Sequence, residues 1–314
     1  MGSDQWPDLN YSAWRDTAAT LQLWMQMVGK VRLAHEPWLN HSWHVPLYVT
    51  ARGLGTSVIH SSPRAFEIEF DLIDSRLLIR NSESDAATFV LAPMSVADFH
   101  EHLTAALRSI QVNPQFNGTP SEVLNPVRFT DDVAPRSYDA EAAGHWWRAL
   151  LSIDRVFKRF RTGFVGKASP VHFFWGSFDL ALTRFSGRAA PVHPGGIPGL
   201  PDAVTREAYD QESSGAGFWP GNPRFPEAAF YAEAYPVPAG FSAAPIKPAA
   251  AYFAAELDEW VLPYAAVRAS IDPEATLLAF LDSSFAAAAR LGNWDVSLEC
   301  ELGEPRRPRS VRDR

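Results

Sequence analysis

Apolar side chains recur at every third or fourth residue in three long segments, and this spacing predicts amphipathic helices. The segments are residues 10–33, 95–110 and 138–161. The second begins at Ser95 with Asp98 three residues later, which is a variant of the capping box. A closing helix is predicted from Asp272 to about Gly292, because a capping side chain followed by proline is typical of a helix start.

Residues 66–72 alternate phenylalanine, isoleucine and leucine with acidic side chains, which indicates a strand with one face in the core. The apolar pattern returns after residue 76, so the two segments predict a hairpin. With Asp74 and Ser75 as a two-residue turn, Glu69 is expected opposite Arg80. One face of this hairpin is predicted to be exposed to solvent and the other to be buried in the core.

Residues 169–188 combine the pattern of a buried strand with ionisable side chains. Aromatic residues bounded by proline and glycine predict a strand, a turn at Gly176–Ser177 and a second strand. The ionisable residues within it are His172, Asp179, Arg184 and Arg188. Charged groups in such strands are either paired or line a cavity. Two interpretations follow: a core hairpin with an Asp179–Arg184 pair, or the wall of a functional site.

Further short strands and Pro/Gly-rich segments lie between these elements; one strand is expected near residues 206–211. The overall order predicts an α+β fold made of two related α–β–α repeats with largely antiparallel sheets, packed as a pseudo-twofold pair. Tyr11 and Tyr138 lie at the start of the first helix of each repeat. His44 follows Tyr11 by 33 residues, and His172 follows Tyr138 by 34 residues. The predicted parts are 1–118, a linker at 119–137, 138–300 with an insertion at 189–227, and an Arg-rich flexible tail at 301–314.

The composition excludes several classes of protein. A hydrophobic content of 46% with 20% charged residues is enough for a large core and argues against general disorder. The net charge is −8, and about −11 before the basic tail, so no nucleic-acid partner is expected. Cys300 is the single cysteine and cannot form an internal disulfide. No apolar run reaches the length of a membrane span and the first residues lack a signal-peptide pattern, so the sequence predicts a cytoplasmic protein without a membrane partner.

Eleven tryptophans favour an aromatic-lined cleft around residues 169–188. The ligand-binding candidates share either an aromatic ring or a directional polar group, and they are His44, Trp43, Trp175, Arg184, Arg188, Trp219 and Asn222. Guanidinium groups in an aromatic setting suit a carboxylate or phosphate, so a small anionic ligand is the expected partner. If the cleft is catalytic, His172 is the candidate general acid/base and Asp179 the residue that orients it.

Three histidines form the alternative of a metal site. His41 and His44 are three residues apart, and the repeat would bring His172 towards them, with Asp179 as a fourth candidate ligand. A metal-dependent hydrolase and a non-catalytic structural or interaction module therefore stay open beside ligand binding. No nucleotide-binding glycine motif is complete, and the sequence identifies no cofactor or oligomeric state.

Three blocks of sequence carry a resemblance to a known family. They are NHSWHV at 40–45, SPVHFFWGSFDL at 169–180 and GFWPG at 217–221. These blocks are similar to the signatures of an uncharacterised bacterial family, a domain of unknown function, and the likeness spans roughly residues 6–300. The resemblance implies one functional unit built from both halves of the chain, and it brings no activity with it.

Overall fold

A computed structural model describes residues 5–301 and residue 303, so nearly all of the predicted tail lies outside the described residues. The helices are α1 Tyr11–His35, α2 Val96–Ser109, α3 Ala140–Arg161, α4 Asp202–Ala208, α5 Tyr264–Arg268 and α6 Pro273–Leu291. The strands are β1 Tyr48–Val49, β2 Gly53–Gly55, β3 Ile59–Ser61, β4 Arg64–Asp71, β5 Arg76–Asn81, β6 Ala86–Val90, β7 His172–Phe174, β8 Asp179–Ala189, β9 Gln211–Trp219, β10 Ala229–Tyr235, β11 Tyr252–Ala254 and β12 Glu259–Pro263. The predicted α+β class is confirmed. None of the helices in the described part of the chain is long and apolar enough to cross a membrane.

Both sheets are antiparallel and have six strands. The N-terminal sheet runs β1–β2–β4–β5–β6, with β3 paired to β4. The C-terminal sheet runs β7–β8–β9–β10–β12–β11. Helices α3 and α6 pack against the middle of the C-terminal sheet, whereas α1 contacts α2, α3 and β3.

The two sheets meet edge to edge at β1 and β7. Leu47 and Phe173 exchange two backbone hydrogen bonds, of 2.9 and 2.7 Å. Buried side chains from both halves form one continuous hydrophobic core. Trp146 lies in it, stacked on Phe178 at 5.0 Å between ring centroids and in edge contact with Phe173. The halves are therefore one packed body.

The order helix, antiparallel strands, helix occurs in both halves, as the repeat predicts. The strand order differs in detail, because β3 lies beside the path of the first sheet while β12 separates β10 from β11 in the second. The pseudo-twofold relation between the halves is not confirmed and stays a prediction, as do the expected boundaries of the parts.

The helices begin where their caps predict. Ser95 and Asp98 form the complete capping box of α2. Asp139 caps α3 through the backbone N–H groups of residues 141 and 142, and Asp272 caps α6. A side-chain oxygen at these positions satisfies backbone donors that the first turn leaves free.

The hairpin of β4 and β5 has a different register from the predicted one. Arg80 pairs with Glu67 and not with Glu69. The last pair of the hairpin is Asp71 with Arg76, so the turn between the strands has four residues and not two. The Asp71 carboxylate accepts the backbone N–H groups of Ile73 and residue 74, which stabilises this longer turn. The predicted two-residue turn at Asp74–Ser75 is therefore wrong.

The strand expected near residues 206–211 is also wrong. Residues 202–208 form α4, and the next strand, β9, begins only at Gln211 and runs to Trp219. Two alternating glycines, Gly215 and Gly217, obscure the strand pattern there, although both lie in the middle of the sheet.

Candidate functional site

Asp179 is the first residue of β8 and is only 4% exposed. Its Oδ2 accepts a hydrogen bond of 2.5 Å from the Tyr231 hydroxyl, and its Oδ1 accepts one from the Ser177 hydroxyl. Burial raises the pKa of the Asp179 carboxyl, and the bonds from Ser177 and Tyr231 oppose that rise. The carboxyl group is thus held in the interior by neutral donors.

Two glycines of β9 make room for the side chains next to Asp179. Gly217 lies opposite Tyr231 and Gly215 opposite Glu233 in the β9–β10 ladder. A Cβ atom at Gly217 would overlap the Tyr231 ring, and one at Gly215 would lie 2.6 Å from Glu233 Oε1. The absence of these two side chains leaves room for Tyr231 and Glu233 on the sheet face that points away from α3 and α6.

Glu233 and Glu259 are neighbours on this sheet face, on the paired strands β10 and β12. The Tyr209 hydroxyl lies 3.2 Å from both carboxylate oxygens of Glu233. Glu259 Oε2 is buried and has no hydrogen-bond partner among the described residues. Burial raises the pKa of Glu233 to about 7, with a further rise from Asp179, and burial together with Glu233 raises the pKa of Glu259 to about 9.

The segment between the two halves adds a fourth carboxyl group. Glu122 packs against Gly176, and its backbone N–H donates to the Gly199 carbonyl at 2.9 Å. Burial raises the pKa of Glu122 to about 7, Asp179 adds to the rise, and Lys30 opposes it. Lys30, from α1, donates to the Ser121 hydroxyl at 2.9 Å. Burial lowers the pKa of Lys30, and the Glu122 carboxyl opposes that shift.

We call this group the acidic trough; its members are Glu122, Asp179, Tyr209, Tyr231, Glu233 and Glu259, with Lys30 at one side. Four carboxyl groups share one ammonium group, and no other cation from residues 5–301 bears on their pKa values. At neutral pH the trough keeps protons on carboxyl groups that would be ionised in water, because too little positive charge is close to them.

Two of the predicted tryptophans border this region. Trp219 stacks on Tyr231 with ring centroids 4.5 Å apart. Trp175 donates from Nε1 to the Val45 carbonyl at 2.9 Å and lies beneath Lys30, 5.5 Å from Nζ to the ring centroid. These two rings lie beside the carboxyl groups and Lys30, and their role in ligand binding stays a prediction.

Trp43 and Asn222 have other roles. Trp43 packs against His41 and Phe185. The Asn222 side chain accepts the backbone N–H groups of Arg224 and Phe225, so it stabilises the turn after β9. The structure brings neither of them into contact with the four carboxyl groups of the trough.

Both predicted anion-binding arginines have partners in the protein. The Arg184 guanidinium is 3.6 Å from the Phe160 ring centroid and 4.2 Å from that of Phe285, and it donates to the Phe160 carbonyl. Burial lowers the pKa of Arg184 to about 9. Arg188 binds Glu212 at 2.6 Å and two carbonyl groups after α6. Neither guanidinium faces the trough.

The predicted histidines do not converge. His172 is buried, and its Nδ1 has no hydrogen-bond partner among the described residues. Burial with the nearby Arg32 lowers the pKa of His172 to about 3. Across the described range, no hydrogen bond joins it to Asp179. His44 contacts the backbone of Leu39 at 3.2 Å. In the same range, no three His, Cys, Asp or Glu side chains are placed to hold a metal ion.

Two surface cavities lie outside the trough. The larger has a volume of about 280 Å³ and is lined in part by Lys158, Arg161 and Tyr48. Lys158 pairs with Asp154 at 2.7 Å, and Arg161 donates to the Ser169 carbonyl. The charged side chains that line this cavity already have partners within the protein, so the acidic trough is the better candidate site.

The sequence analysis identified Asp179 but missed its neighbours. Tyr231 and Glu233 follow each other on one face of β10, in the alternation AFYAEAY, and the same face of β9 carries only glycines at 215 and 217. That combination is a usable signal for a polar trough on a sheet. Glu122 lies in an irregular segment and carries no such signal.

The chain belongs to DUF5996, a family of unknown function, whose match covers residues 6–300. The predicted membership of an uncharacterised family is confirmed. No curated protein and no solved structure matches the chain.

Proposed function

We propose that this member of DUF5996 binds a small organic cation, a molecule carrying an amine or guanidine group, in the acidic trough. The observation that carries the proposal is the gathering of four carboxyl groups, Asp179 and three glutamates around it, with one ammonium group beside them. A bound cation favours the ionised carboxylates, so the binding free energy includes the release of their protons.

The neighbouring groups suit such a ligand. Glu259 Oε2 is buried without a donor, and an N–H group of a ligand would satisfy it. The stacked rings of Trp219 and Tyr231 offer an aromatic face next to the carboxyl groups. Cations bind aromatic faces with about 0.5–2 kcal/mol, the larger value where water is excluded.

The excess of carboxyl groups over cationic groups in the trough makes an anionic ligand less suitable than the sequence suggested. That expectation depended on Arg184 and Arg188, whose guanidinium groups are engaged elsewhere. An anion in the trough would meet Asp179 and three further carboxyl groups, and like charges at close range are costly in a partly buried site.

A second candidate function is proton transfer to or from the bound molecule. The pKa values of about 7 for Glu122 and Glu233 favour it, because a group with a pKa near the working pH both accepts and donates protons readily. In this version the trough is an active site, and Glu233 with Tyr209 is the pair that would exchange the proton.

Isothermal titration calorimetry tests the binding proposal. A panel of primary amines and guanidines is compared with carboxylic acids of the same carbon skeleton, at pH 7 in two buffers of different ionisation enthalpy. We expect amines or guanidines to bind with release of protons, and Glu233→Gln or Glu259→Gln to weaken binding about tenfold or more, the equivalent of about 1.4 kcal/mol.

Glu256→Gln is the matched control, since Glu256 is exposed in the turn before the strand that carries Glu259. It should leave the affinity unchanged. Binding of the carboxylic acids in place of the amines, or equal affinity in all three variants, would contradict the proposal.

A further inference from the structure

Lys167 lies on the same face of the C-terminal sheet as the acidic trough, but at the other end of β8. Its carbonyl accepts the backbone N–H of Phe185, which is six residues along the strand from Asp179. At about 3.3 Å per residue this places the two positions roughly 20 Å apart. Lys167 therefore belongs to a separate group of side chains.

The amine of Lys167 has one close polar partner. Nζ is 2.6 Å from Nε2 of His41. It also lies 4.7 Å from the ring centroid of Phe185 and 5.7 Å from that of Trp43. A half-buried amine between two aromatic rings loses part of its hydration, which disfavours the ammonium form.

An ion pair that would hold the proton on Nζ is missing. Within residues 5–301, no carboxylate oxygen lies within 4.0 Å of Nζ, whereas Lys158 has Asp154 at 2.7 Å. The acidic groups whose charges reach Lys167, Asp210 and Glu207, contact His41 and lie beyond ion-pair distance of Nζ. Asp210 is 3.9 Å from Nε2 of His41, and Glu207 accepts the His41 backbone N–H at 2.9 Å.

His41 is held firmly in place beside this amine. It is 5% exposed, and both His41 and Ser42 have left-handed backbone angles, with φ of 57° and 54°. Such conformations cost energy in residues other than glycine and cluster at functional sites. The ring packs against Phe185 at 4.7 Å between centroids. Burial lowers the pKa of both Lys167 and His41, and the charges of Asp210 and Glu207 oppose the shift.

We propose that Lys167 is a reactive amine that condenses reversibly with the carbonyl group of a small aldehyde or ketone to form an imine. His41 accepts the proton from Nζ, and the free amine attacks the carbonyl carbon. The carbonyl oxygen takes one proton from nitrogen and a second from His41, and it leaves as water. The product is the protonated imine, so the charge of the original ammonium is kept and no oxidant or reductant is needed.

The surroundings also define the carbonyl compound. The rings of Phe185 and Trp43 favour an aromatic or alkyl group next to the carbonyl carbon. Asp210 and Glu207 carry negative charge on the polar side, so a compound without a carboxylate or phosphate is expected. This inference is independent of the cation proposed for the acidic trough.

The chain has four lysines, Lys30, Lys158, Lys167 and Lys247, which permits a direct test. The intact protein is treated with benzaldehyde and sodium cyanoborohydride at pH 7, and modification of each lysine is followed by peptide mass spectrometry. We expect Lys167 to be modified about tenfold faster than the exposed Lys247 or more, because each unit by which its pKa is lower multiplies the free amine by about ten.

Two further readouts separate this role from a structural one. The labelling rate of Lys167 should rise at a lower pH than that of Lys247, in the unchanged protein. His41→Gln should slow the labelling of Lys167 about tenfold and leave Lys247 unaffected, with a thermal melt to confirm folding. Equal rates at Lys167 and Lys247, or an unchanged rate at Lys167 in a folded His41→Gln variant, would overturn the proposal.

Discussion

Asp179 and Arg184 lie five residues apart on β8, and their side chains face opposite sides of the C-terminal sheet. Asp179 bonds to Tyr231 in the acidic trough, whereas Arg184 contacts Phe160 and Phe285 on the side of α3 and α6. An odd spacing along a strand produces this separation. The ion pair considered from the sequence does not form, and the two charges serve different parts of the molecule.

Replacement of Arg184 should depend strongly on the size of the new side chain. Arg184→Met keeps the apolar contacts and removes a buried cation, so we expect a free energy of unfolding within about 1 kcal/mol of the parent, or higher. Arg184→Ala leaves a cavity between Phe160 and Phe285 and should cost about 2–4 kcal/mol. Urea unfolding of the two variants measures the difference.

A double-mutant cycle checks that Asp179 and Arg184 are independent. The effects of Asp179→Asn and Arg184→Met on the free energy of unfolding should add within about 0.5 kcal/mol. Recovery of stability in the double mutant would mean that the two residues interact after all.

Tyr231→Phe removes one of the two donors to Asp179. We expect a loss of about 1–3 kcal/mol, because the buried carboxylate keeps only the bond from Ser177. Tyr252→Phe is the control, as Tyr252 is exposed at the sheet edge, and chemical denaturation at neutral pH provides the measurement.

The acidic trough makes the stability of the protein depend on pH. The pKa values of Glu122 and Glu233, about 7, and of Glu259, about 9, are above the usual 4.5. The folded chain therefore holds more protons than the unfolded chain between about pH 4.5 and 9, and the free energy of unfolding falls as pH rises through this window. Glu233→Gln should reduce the fall between pH 5 and 8 by roughly 2 kcal/mol. Glu256→Gln, in the exposed turn, should leave this pH dependence of the free energy of unfolding unchanged.

His172 has the opposite effect on the acidic side. Its pKa of about 3 is below the usual 6.5, so between these values the unfolded chain binds a proton that the folded chain does not. This contribution to the free energy of unfolding rises with pH up to about 6.5 and opposes the fall that the acidic trough produces above about pH 4.5. His172→Asn should flatten this rise and leave the alkaline side unchanged, which denaturant titrations from pH 4 to 9 would measure. A rise of equal steepness in the variant would assign it to other groups.

Gly217→Ala tests the close approach of Tyr231 to β9. The new methyl group would overlap the Tyr231 ring, so we expect a loss of about 1–3 kcal/mol and weaker binding of amines in the trough. Gly118→Ala serves as the control, because the nearest atom to its new Cβ is 3.5 Å away. Thermal unfolding followed by calorimetry compares the two.

The four long helices, α1, α2, α3 and α6, could be predicted because their signals are local. Ser95 and Asp98, or Asp272 and the proline after it, lie within one turn of the helix that they start. The register between β4 and β5 could not be predicted. The Asp71 side chain stabilises a longer turn through hydrogen bonds to the backbone, and the alternating pattern of the strands does not reveal them. The strand pattern of β9 failed because glycine carries no hydrophobic signal.

The candidate site was predictable only at its centre. Asp179 was identified because a carboxyl group within an apolar strand must have a partner or a function. Its neighbours are brought to it by sheet register and by packing of the two halves, and Tyr231 is 52 residues away in sequence. The guanidinium groups misled the expectation of charge. Arg184 is an odd number of residues from Asp179 and therefore faces the other side of the sheet, and Arg188 lies in the irregular part of β8 after Phe185.

The pairing of Leu47 with Phe173 has a consequence for solubility. Each sheet presents the edge strand β1 or β7 to the other, and an edge with free N–H and C=O groups is a template for pairing with further chains. In the intact protein each half protects the other's edge. A chain interrupted between the halves, or halted there during synthesis, would expose both edges at once, and we expect it to associate into oligomers and aggregates through them.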